Sequence, residues 1–231
     1  MLIDVIRSGF SAETLVPLLL FIPVILISLT VHEYCHGYAA YRCGDMTARN
    51  FGRLTLNPVK HLDPIGTIMM LIFGFGYAKP VPINPRNFRK PRRDICIVSV
   101  AGPLSNLFLC FIGMLIYRAS LVLVLKYGSY EILSSNFFSA WMIFASNFYF
   151  ANATLCVFNL IPIPPLDGSR LLTTILPAKI SFTLAKYENY IMIGVLVLLY
   201  FGALDGVIRF FGNGIISGIN WLLSLVPILN F

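Results

Sequence analysis

The amino-acid sequence predicts an all-α polytopic membrane protein. Hydrophobic residues occupy 58% of its 231 positions and charged residues only 12%, whereas charged residues make up about 25% of an average soluble domain. The charges are gathered between long uncharged stretches, and a membrane-spanning helix needs about 20 predominantly apolar residues. We therefore expect a single membrane-embedded domain over residues 1–231, with about five transmembrane helices and one re-entrant segment.

Five apolar segments are candidate transmembrane helices. The first is uncharged from Thr14 to Val31, and its helix can continue to about Tyr41, shortly before Gly44. The others lie at 95–117, 132–166, 189–204 and 210–231. The last is interrupted by glycines and a proline, so it either crosses the membrane or lies in its interface. The segments divide the domain into a core at about 14–172 and C-terminal helices at about 189–231.

The apolar stretch 64–78 is too short for a comfortable membrane crossing. It lies between two basic loops at 42–63 and 79–94, which contain four and six Lys or Arg residues. If the stretch crossed, one of these loops would lie outside the cell, which the positive-inside rule disfavours. We interpret the stretch as re-entrant. Prolines favour extended backbone before them, so the flanking residues 50–57 and 79–84 are expected to form a small β-hairpin.

The distribution of basic residues predicts the orientation of the chain. With a re-entrant segment, loops 42–63, 79–94 and 167–188 lie in the cytoplasm and contain 13 of the 17 Lys and Arg residues. The outer segments 1–13 and 118–131 contain only three. This asymmetry predicts a multi-pass protein of the cell membrane with its N-terminus outside. It also accounts for the net charge of +7, so the lipid bilayer is the expected partner and nucleic acid is not.

The strongest chemical signal is the motif His32-Glu33-Tyr34-Cys35-His36 at the end of the first apolar segment. Residues i and i+4 share a helix face, so the two imidazoles suit two corners of a tetrahedral zinc site. Glu33 follows the first ligand and can act as general base on a water molecule at the metal. Ionisable groups inside a membrane helix are costly and mark functional sites. The motif therefore predicts one Zn²⁺ per chain.

A catalytic zinc site needs a third protein ligand and one open position. Asp167 is the best candidate, because it follows the proline-broken end of the third apolar run in Asn159-Leu-Ile-Pro-Ile-Pro-Pro-Leu-Asp167-Gly168. Loop charges also place it on the cytoplasmic side, together with the motif. The alternative is that Asp167 only caps the next helix. A zinc protease with a glutamate ligand is a further option, but the available glutamates are poorly placed: Glu13, Glu131 and Glu188.

These residues resemble the site-2 protease family of intramembrane zinc metalloproteases. In that family a His-Glu-x-x-His helix supplies two ligands and the base, and an Asn-x-x-Pro-x-x-x-Leu-Asp-Gly segment, which residues 159–168 match, supplies the third ligand. Residues 101–106, Ala-Gly-Pro-Leu-Ser-Asn, are similar to the family's Gly-Pro-x-x-Asn element. The resemblance covers residues from about 14 to 172 and indicates a short form without a PDZ domain.

Several other polar residues are candidate site residues. Asn159 carries an amide that either stabilises the oxyanion of an attacked carbonyl or caps broken backbone. Asn106 either does the same or binds helices together. The extended stretch with Lys79, Val81, Ile83 and Asn84 either pairs with an unwound substrate by strand addition or is a plain surface loop. His61 is interpreted as structural, although a role beside the site stays open.

The resemblance implies hydrolysis of peptide bonds in transmembrane protein substrates, as in regulated proteolysis, and the loop charges predict an active site toward the cytoplasmic side. Two other classes share the zinc ligands: a zinc-binding membrane transporter or sensor, and an inactive relative that only binds partners. Glu33 argues against both. A transport or sensing site needs no general base, and an inactive relative is expected to lack a motif residue.

Overall fold

The computed structural model describes residues 11–73 and 76–229, and all regular structure in these ranges is helical. The predicted outer segment 1–13 lies mostly outside the described residues, as do 74–75 of the re-entrant stretch and 230–231 of the last apolar segment. The α-helices are α1 Ala12–Arg42, α2 Thr47–Asn50, α3 Pro64–Phe73, α4 Pro91–Tyr127, α5 Tyr130–Leu133, α6 Asn136–Leu160, α7 Asp167–Ile175, α8 Ala178–Lys186, α9 Glu188–Tyr200 and α10 Asp205–Ser224. Short 3₁₀ turns lie at Pro58–Lys60, Pro85–Asn87 and Pro227–Leu229. The all-α prediction is confirmed for the described residues.

Three helices are long and apolar enough to cross a membrane: Glu13–Arg42 within α1, Pro91–Tyr127 and Asn136–Leu160. A fourth candidate is the pair α8 and α9, which is bent by 65° at its break. The expectation of about five transmembrane helices is therefore not confirmed. With 13 residues, α9 is only about 20 Å long, which is shorter than the hydrocarbon core of a bilayer.

Helix α1 carries the His-Glu-x-x-His motif in one unbroken helix. It begins after Ser11, whose side chain and backbone exchange hydrogen bonds with Thr14 in a capping box. It ends at Arg42, within a residue or two of the predicted end. Gly44 follows with a φ of +109°, a backbone conformation that favours glycine. The turn at Gly44 lets the chain leave the helix shortly after the motif.

Helix α4 is the centre of the bundle and contacts α1, α6 and α7. Small residues permit its close approach to α6, as is usual between membrane helices. A Cβ added at Gly113 would lie 2.7 Å from the ring of Phe148. Cys110 and Met114 of α4 pack with Ala153 of α6 in a buried apolar cluster. Because α4 lies between the motif helix and α7, it forms the back wall of any site shared by these two elements.

The predicted β-hairpin is not confirmed, since the structure contains no strand within residues 11–73 and 76–229. Residues 76–84 have no regular secondary structure, and residues 50–57 form the end of α2 and a series of turns and bends. Pro80 and Pro82 lack the N–H groups that a hydrogen-bonded ladder needs. This stretch, called the 76–84 segment below, is therefore a single irregular run of chain.

Both ends of the 76–84 segment are anchored by hydrogen bonds. At its start, the Lys79 N–H donates to the carbonyl of His61 at 2.9 Å. At its end, the Asn84 N–H donates to the buried carboxylate of Asp45 at 2.7 Å. Burial alone would raise the pKa of Asp45, but hydrogen bonds from Thr47, Asn84 and Asn87 lower that pKa below its ordinary value. The segment is thus held in place beside α1.

Candidate metal centre

The three predicted metal ligands meet at one point. His32 Nε2 and His36 Nε2 lie 3.0 Å apart, and Asp167 Oδ2 lies 3.2 Å from the first and 3.0 Å from the second. All three residues are buried. The histidines lie one turn apart on α1, and Asp167 is the first residue of α7. The structure therefore assembles a two-nitrogen, one-oxygen cluster from opposite halves of the sequence.

The spacing of this cluster fits a zinc ion. Zinc takes histidine nitrogen and carboxylate oxygen at about 2.0–2.2 Å in tetrahedral geometry, which separates neighbouring donor atoms by about 3.3 Å. The observed separations of 3.0–3.2 Å are close to this value. Three protein ligands leave the fourth corner open, as catalytic zinc sites require and structural ones do not.

Both imidazole rings are held from behind by helix α4. His36 Nδ1 lies 2.7 Å from the carbonyl oxygen of Val98, and His32 Nδ1 lies 2.5 Å from Asn106 Oδ1. A carbonyl oxygen can only accept, so Nδ1 of His36 donates and its Nε2 presents a lone pair to the cluster. Partners of this kind fix the tautomer and the orientation of metal-binding histidines.

Gly102 of α4 leaves the space in which the cluster lies. A Cβ added at this position would overlap His36 Nε2 and the ring of His32. A side chain there would therefore displace the ligand atoms themselves. The Gly-Pro-x-x-Asn element contributes this close approach as well as Asn106, although the motif alone does not indicate what the glycine does.

Asp167 is brought to the histidines by an irregular connection after α6. That helix ends at Leu160, and the chain passes through three prolines before α7 begins. A Cβ added at Gly168 would overlap the carbonyl oxygens of Leu160 and Ile161. Only glycine permits this close packing of the α7 start against the α6 end, which determines where the Asp167 carboxylate lies.

Glu33 lies beside the cluster and is oriented by the 76–84 segment. Its Oε2 accepts a hydrogen bond of 2.8 Å from the backbone N–H of Val81. The Val81 side chain is buried and lies close enough to Gly37 that a Cβ there would be 3.2 Å from Val81 Cγ1. Within the described residues, Oε1 of Glu33 has no hydrogen-bond partner. One carboxylate oxygen is thus held while the other remains available for chemistry.

A cavity of about 230 Å³ contains the cluster and Glu33. Asn159 lines this cavity, and its Nδ2 donates one hydrogen bond of 3.0 Å to the carbonyl of Leu155. An amide nitrogen carries two hydrogens, so the second is available to the cavity. The other predicted residues that line it are Val81 and Ile83.

The remaining predicted site residues lie elsewhere. Lys79 and Asn84 are outside the cavity lining, and they anchor the 76–84 segment through their backbone. Asn106 is also outside it and contacts the back of His32, which favours the second of its two predicted roles. His61 is 1% exposed and donates from Nε2 to the carbonyl of Thr55 at 2.8 Å, in agreement with a structural role.

The cavity also contains residues that the sequence analysis missed: Tyr77, Arg170 and Met192. Arg170 lies three residues after Asp167 on the same helix, so helical spacing predicts that it shares a face with Asp167. Tyr77 and Met192 give no such local signal, since their positions depend on the path of the 76–84 segment and on the docking of α9.

The open space that Gly102 provides can be tested with a single methyl group. We expect Gly102→Ala to reduce zinc affinity by at least about tenfold, because the added Cβ overlaps both histidine rings. Gly194→Ala is the matched control, because a Cβ at Gly194 meets no atom within 4 Å. The measurement is competition with a chromophoric chelator on both purified proteins. Equal zinc affinity of the two variants would contradict the assignment.

Comparison with known proteins adds an independent line of evidence. Residues 20–201 match peptidase family M50. The chain is 46% identical to "Putative zinc metalloprotease YwhC" of Bacillus subtilis over 180 residues, which cover 75% of this chain and 77% of the relative. It is 32% identical to "Putative zinc metalloprotease Rip2" of Mycolicibacterium smegmatis over 209 residues, covering 86% and 75%. The protein of that name from Mycobacterium tuberculosis H37Rv is 31% identical over 230 residues, covering 94% and 80%.

No solved structure matches the chain. The family match covers the His-Glu-x-x-His helix, the Gly-Pro-x-x-Asn element and Asp167. Together with the apolar helices and the buried cluster, it confirms the resemblance and the zinc cofactor. The chain belongs to peptidase family M50, the site-2 protease family, and is a membrane metalloprotease that uses zinc.

Proposed function

We propose that this chain is an intramembrane endopeptidase that hydrolyses peptide bonds of membrane-spanning proteins in regulated proteolysis. The observation that supports this function best is the combination in one cavity of a ligand cluster with an open position and a carboxylate with one free oxygen. A site that only stores or transports metal has no use for Glu33. In this proposal residues 1–231 form one membrane-embedded domain.

The residues around the cavity have different roles in the proposed hydrolysis. His32, His36 and Asp167 would hold the zinc ion, which would supply a Lewis acid for activating water and polarising a carbonyl. Glu33 accepts a proton from the attacking water through its free oxygen and passes this proton to the leaving amine. The second amide hydrogen of Asn159 is directed at the negative charge that develops on the carbonyl oxygen.

The 76–84 segment is proposed to bind the substrate. A peptide bond in a helix hides its carbonyl, so a membrane-spanning substrate must unwind before it can be cut. Unwound backbone inside a membrane needs hydrogen-bond partners. Within the described residues, the carbonyl oxygens of Val81 and Ile83 accept no hydrogen bond and can pair with such a peptide. Lys79 and Asn84 then hold the segment in place, and residues of low helix propensity are favoured near the cut.

The protein is further proposed to lie in the cell membrane as a multi-pass protein with its site toward the cytoplasm. The basic loops on either side of α3 support this orientation. Helix α3 has ten residues and is about 15 Å long, half the thickness of the hydrocarbon core, which suits a re-entrant segment. The proposed topology has about five membrane crossings. Helix α10 is counted among them, with the charged residues Asp205 and Arg209 in its first turns.

Labelling of introduced cysteines tests the orientation. In a variant without the five native cysteines, Ser129→Cys lies in the predicted outer loop and Arg92→Cys in a predicted inner one, and both positions are exposed. We expect a membrane-impermeant maleimide to label only the first in intact cells and both after permeabilisation. Labelling of Arg92→Cys in intact cells would overturn the proposed topology.

Removing the general base tests the reaction. We expect Glu33→Gln to retain one zinc per chain and to lose at least about a hundredfold in cleavage rate, because the amide cannot accept the proton. Cleavage of a membrane-anchored substrate by the purified protein is the measurement, with zinc content determined on the same sample. Equal cleavage by the parent and the variant excludes the mechanism. Zinc binding without any cleavage by the parent indicates a sensor or transporter instead.

Replacing the third ligand distinguishes Asp167 from a glutamate. We expect Asp167→Ala to bind less than one zinc per chain, because the cluster loses its only oxygen donor. Glu188→Ala is the matched control, since Glu188 is exposed and does not line the cavity. Zinc is measured by mass spectrometry after dialysis of both folded proteins. Normal zinc content in Asp167→Ala, or loss of zinc in Glu188→Ala, would contradict the assignment.

A further inference from the structure

Four polar side chains form a continuous hydrogen-bond chain behind the metal centre. His32 Nδ1 lies 2.5 Å from Asn106 Oδ1, and Asn106 Nδ2 lies 2.9 Å from Asn152 Oδ1. Asn152 Nδ2 in turn lies 2.9 Å from the hydroxyl oxygen of Ser28. Ser28, Asn106 and Asn152 are all 0% exposed. The chain runs from α1 through α4 and α6 and returns to α1, so it joins the three long helices in their interior.

Backbone carbonyls fix the direction of every hydrogen bond in this chain. The Ser28 hydroxyl donates to the carbonyl of Val24 at 2.7 Å, and Asn152 Nδ2 donates to the carbonyl of Phe148 at 2.8 Å. A carbonyl oxygen only accepts, so the nitrogen end of Asn152 must face Phe148 and Ser28. Its oxygen end therefore faces Asn106 and receives a hydrogen bond from the Asn106 nitrogen.

The direction then passes from Asn106 to the metal ligand. With its nitrogen facing Asn152, the Asn106 amide presents its oxygen to His32, and Nδ1 of His32 must carry the hydrogen. The lone pair of His32 is consequently on Nε2, which lies in the cluster. If the Asn106 amide were turned by 180°, its shape would be nearly the same, but its NH₂ group would face His32. His32 would then carry its hydrogen on Nε2, and this nitrogen could not bind a metal.

We propose that Asn152, supported by Ser28, is a positioning residue that fixes the Asn106 amide and so keeps the Nε2 lone pair of His32 directed at the zinc. The inference deepens the proposed function and rests on its metal site. His36 needs no such support, because its Nδ1 partner is the Val98 backbone carbonyl, which cannot turn over. His32 depends on the Asn106 side-chain amide, whose nitrogen donates to Asn152 Oδ1 at 2.9 Å and lies at the longer distance of 3.5 Å from the Ser28 carbonyl oxygen.

Zinc affinity of purified variants tests the proposal without using activity. We expect Asn152→Leu to bind zinc about 10–100-fold more weakly than the parent, the range found when partners of metal ligands are removed. Ser28→Ala is expected to have a smaller effect, because the Phe148 carbonyl still accepts from Asn152. The variant Asn152→Asp, with its carboxyl group protonated, is expected to retain most of the zinc affinity. Its carbonyl oxygen and hydroxyl then occupy the places of the two amide atoms.

Asn147→Leu is the matched control, because it makes the same substitution on α6 at a residue that lines a different cavity from that of the zinc ligands. The absorption bands of bound Co²⁺ provide a second measurement. We expect them to change in Asn152→Leu and not in Asn147→Leu, and the thermal unfolding of the metal-free proteins shows separately whether either substitution loosens the packing.

Weaker zinc binding and altered Co²⁺ bands in Asn152→Leu, with recovery in Asn152→Asp, support the proposal. Parental affinity in Asn152→Leu, or an equal loss in Asn147→Leu, overturns it. If Asn152→Leu does not fold, the smaller substitution Asn152→Ala decides in the same way, and parental affinity there overturns the proposal. Failure of the parent itself to bind zinc would contradict the proposed function instead.

Discussion

The burial of three metal ligands within a membrane helix bundle is the constraint on which the rest of this structure depends. His32, His36 and Asp167 are 5%, 4% and 8% exposed. Buried polar groups are costly unless each finds a partner, and lipid offers none. The metal satisfies the atoms that face the cluster, so the protein must satisfy the others. The carbonyl of Val98 and the amide of Asn106 serve this requirement for the two histidines.

Two stripes of residues show how the helices provide partners for these buried polar atoms. On α1 the site residues Ser28, His32 and His36 recur every four positions, and on α4 Val98, Gly102 and Asn106 do the same. Rows of this spacing are the ridges along which helices most often pack. The two stripes face each other, so each partner on α4 lies opposite the residue that needs it: Val98 opposite His36, Gly102 between the two rings, and Asn106 opposite His32.

The sequence therefore predicts the local parts of the site but not how the fold brings these parts together. Helical spacing pairs His32 with His36, and the proline-broken end of α6 identifies Asp167 as a ligand candidate. The role of Asn152 could not be predicted, because it lies 46 positions from its partner Asn106 and no local pattern distinguishes it from other buried amides. The predicted count of about five membrane crossings is not confirmed, for a related reason. Apolar composition marks both α9 and α10, but length and charge limit what each can cross.

The contact between Glu33 and Val81 shows a second limit of sequence patterns. The donor is a backbone N–H, which every residue except proline possesses, so the identity of residue 81 gives no indication of the contact. The neighbouring residues do. Alternate residues of an extended chain direct their N–H groups to opposite edges, and prolines at 80 and 82 remove two donors from the edge opposite the Val81 N–H. The Val81 N–H on the other edge remains free for Glu33 instead of being used in a ladder. The irregular segment thus supplies the backbone donor that orients Glu33, and no substitution of Val81 other than proline removes this donor.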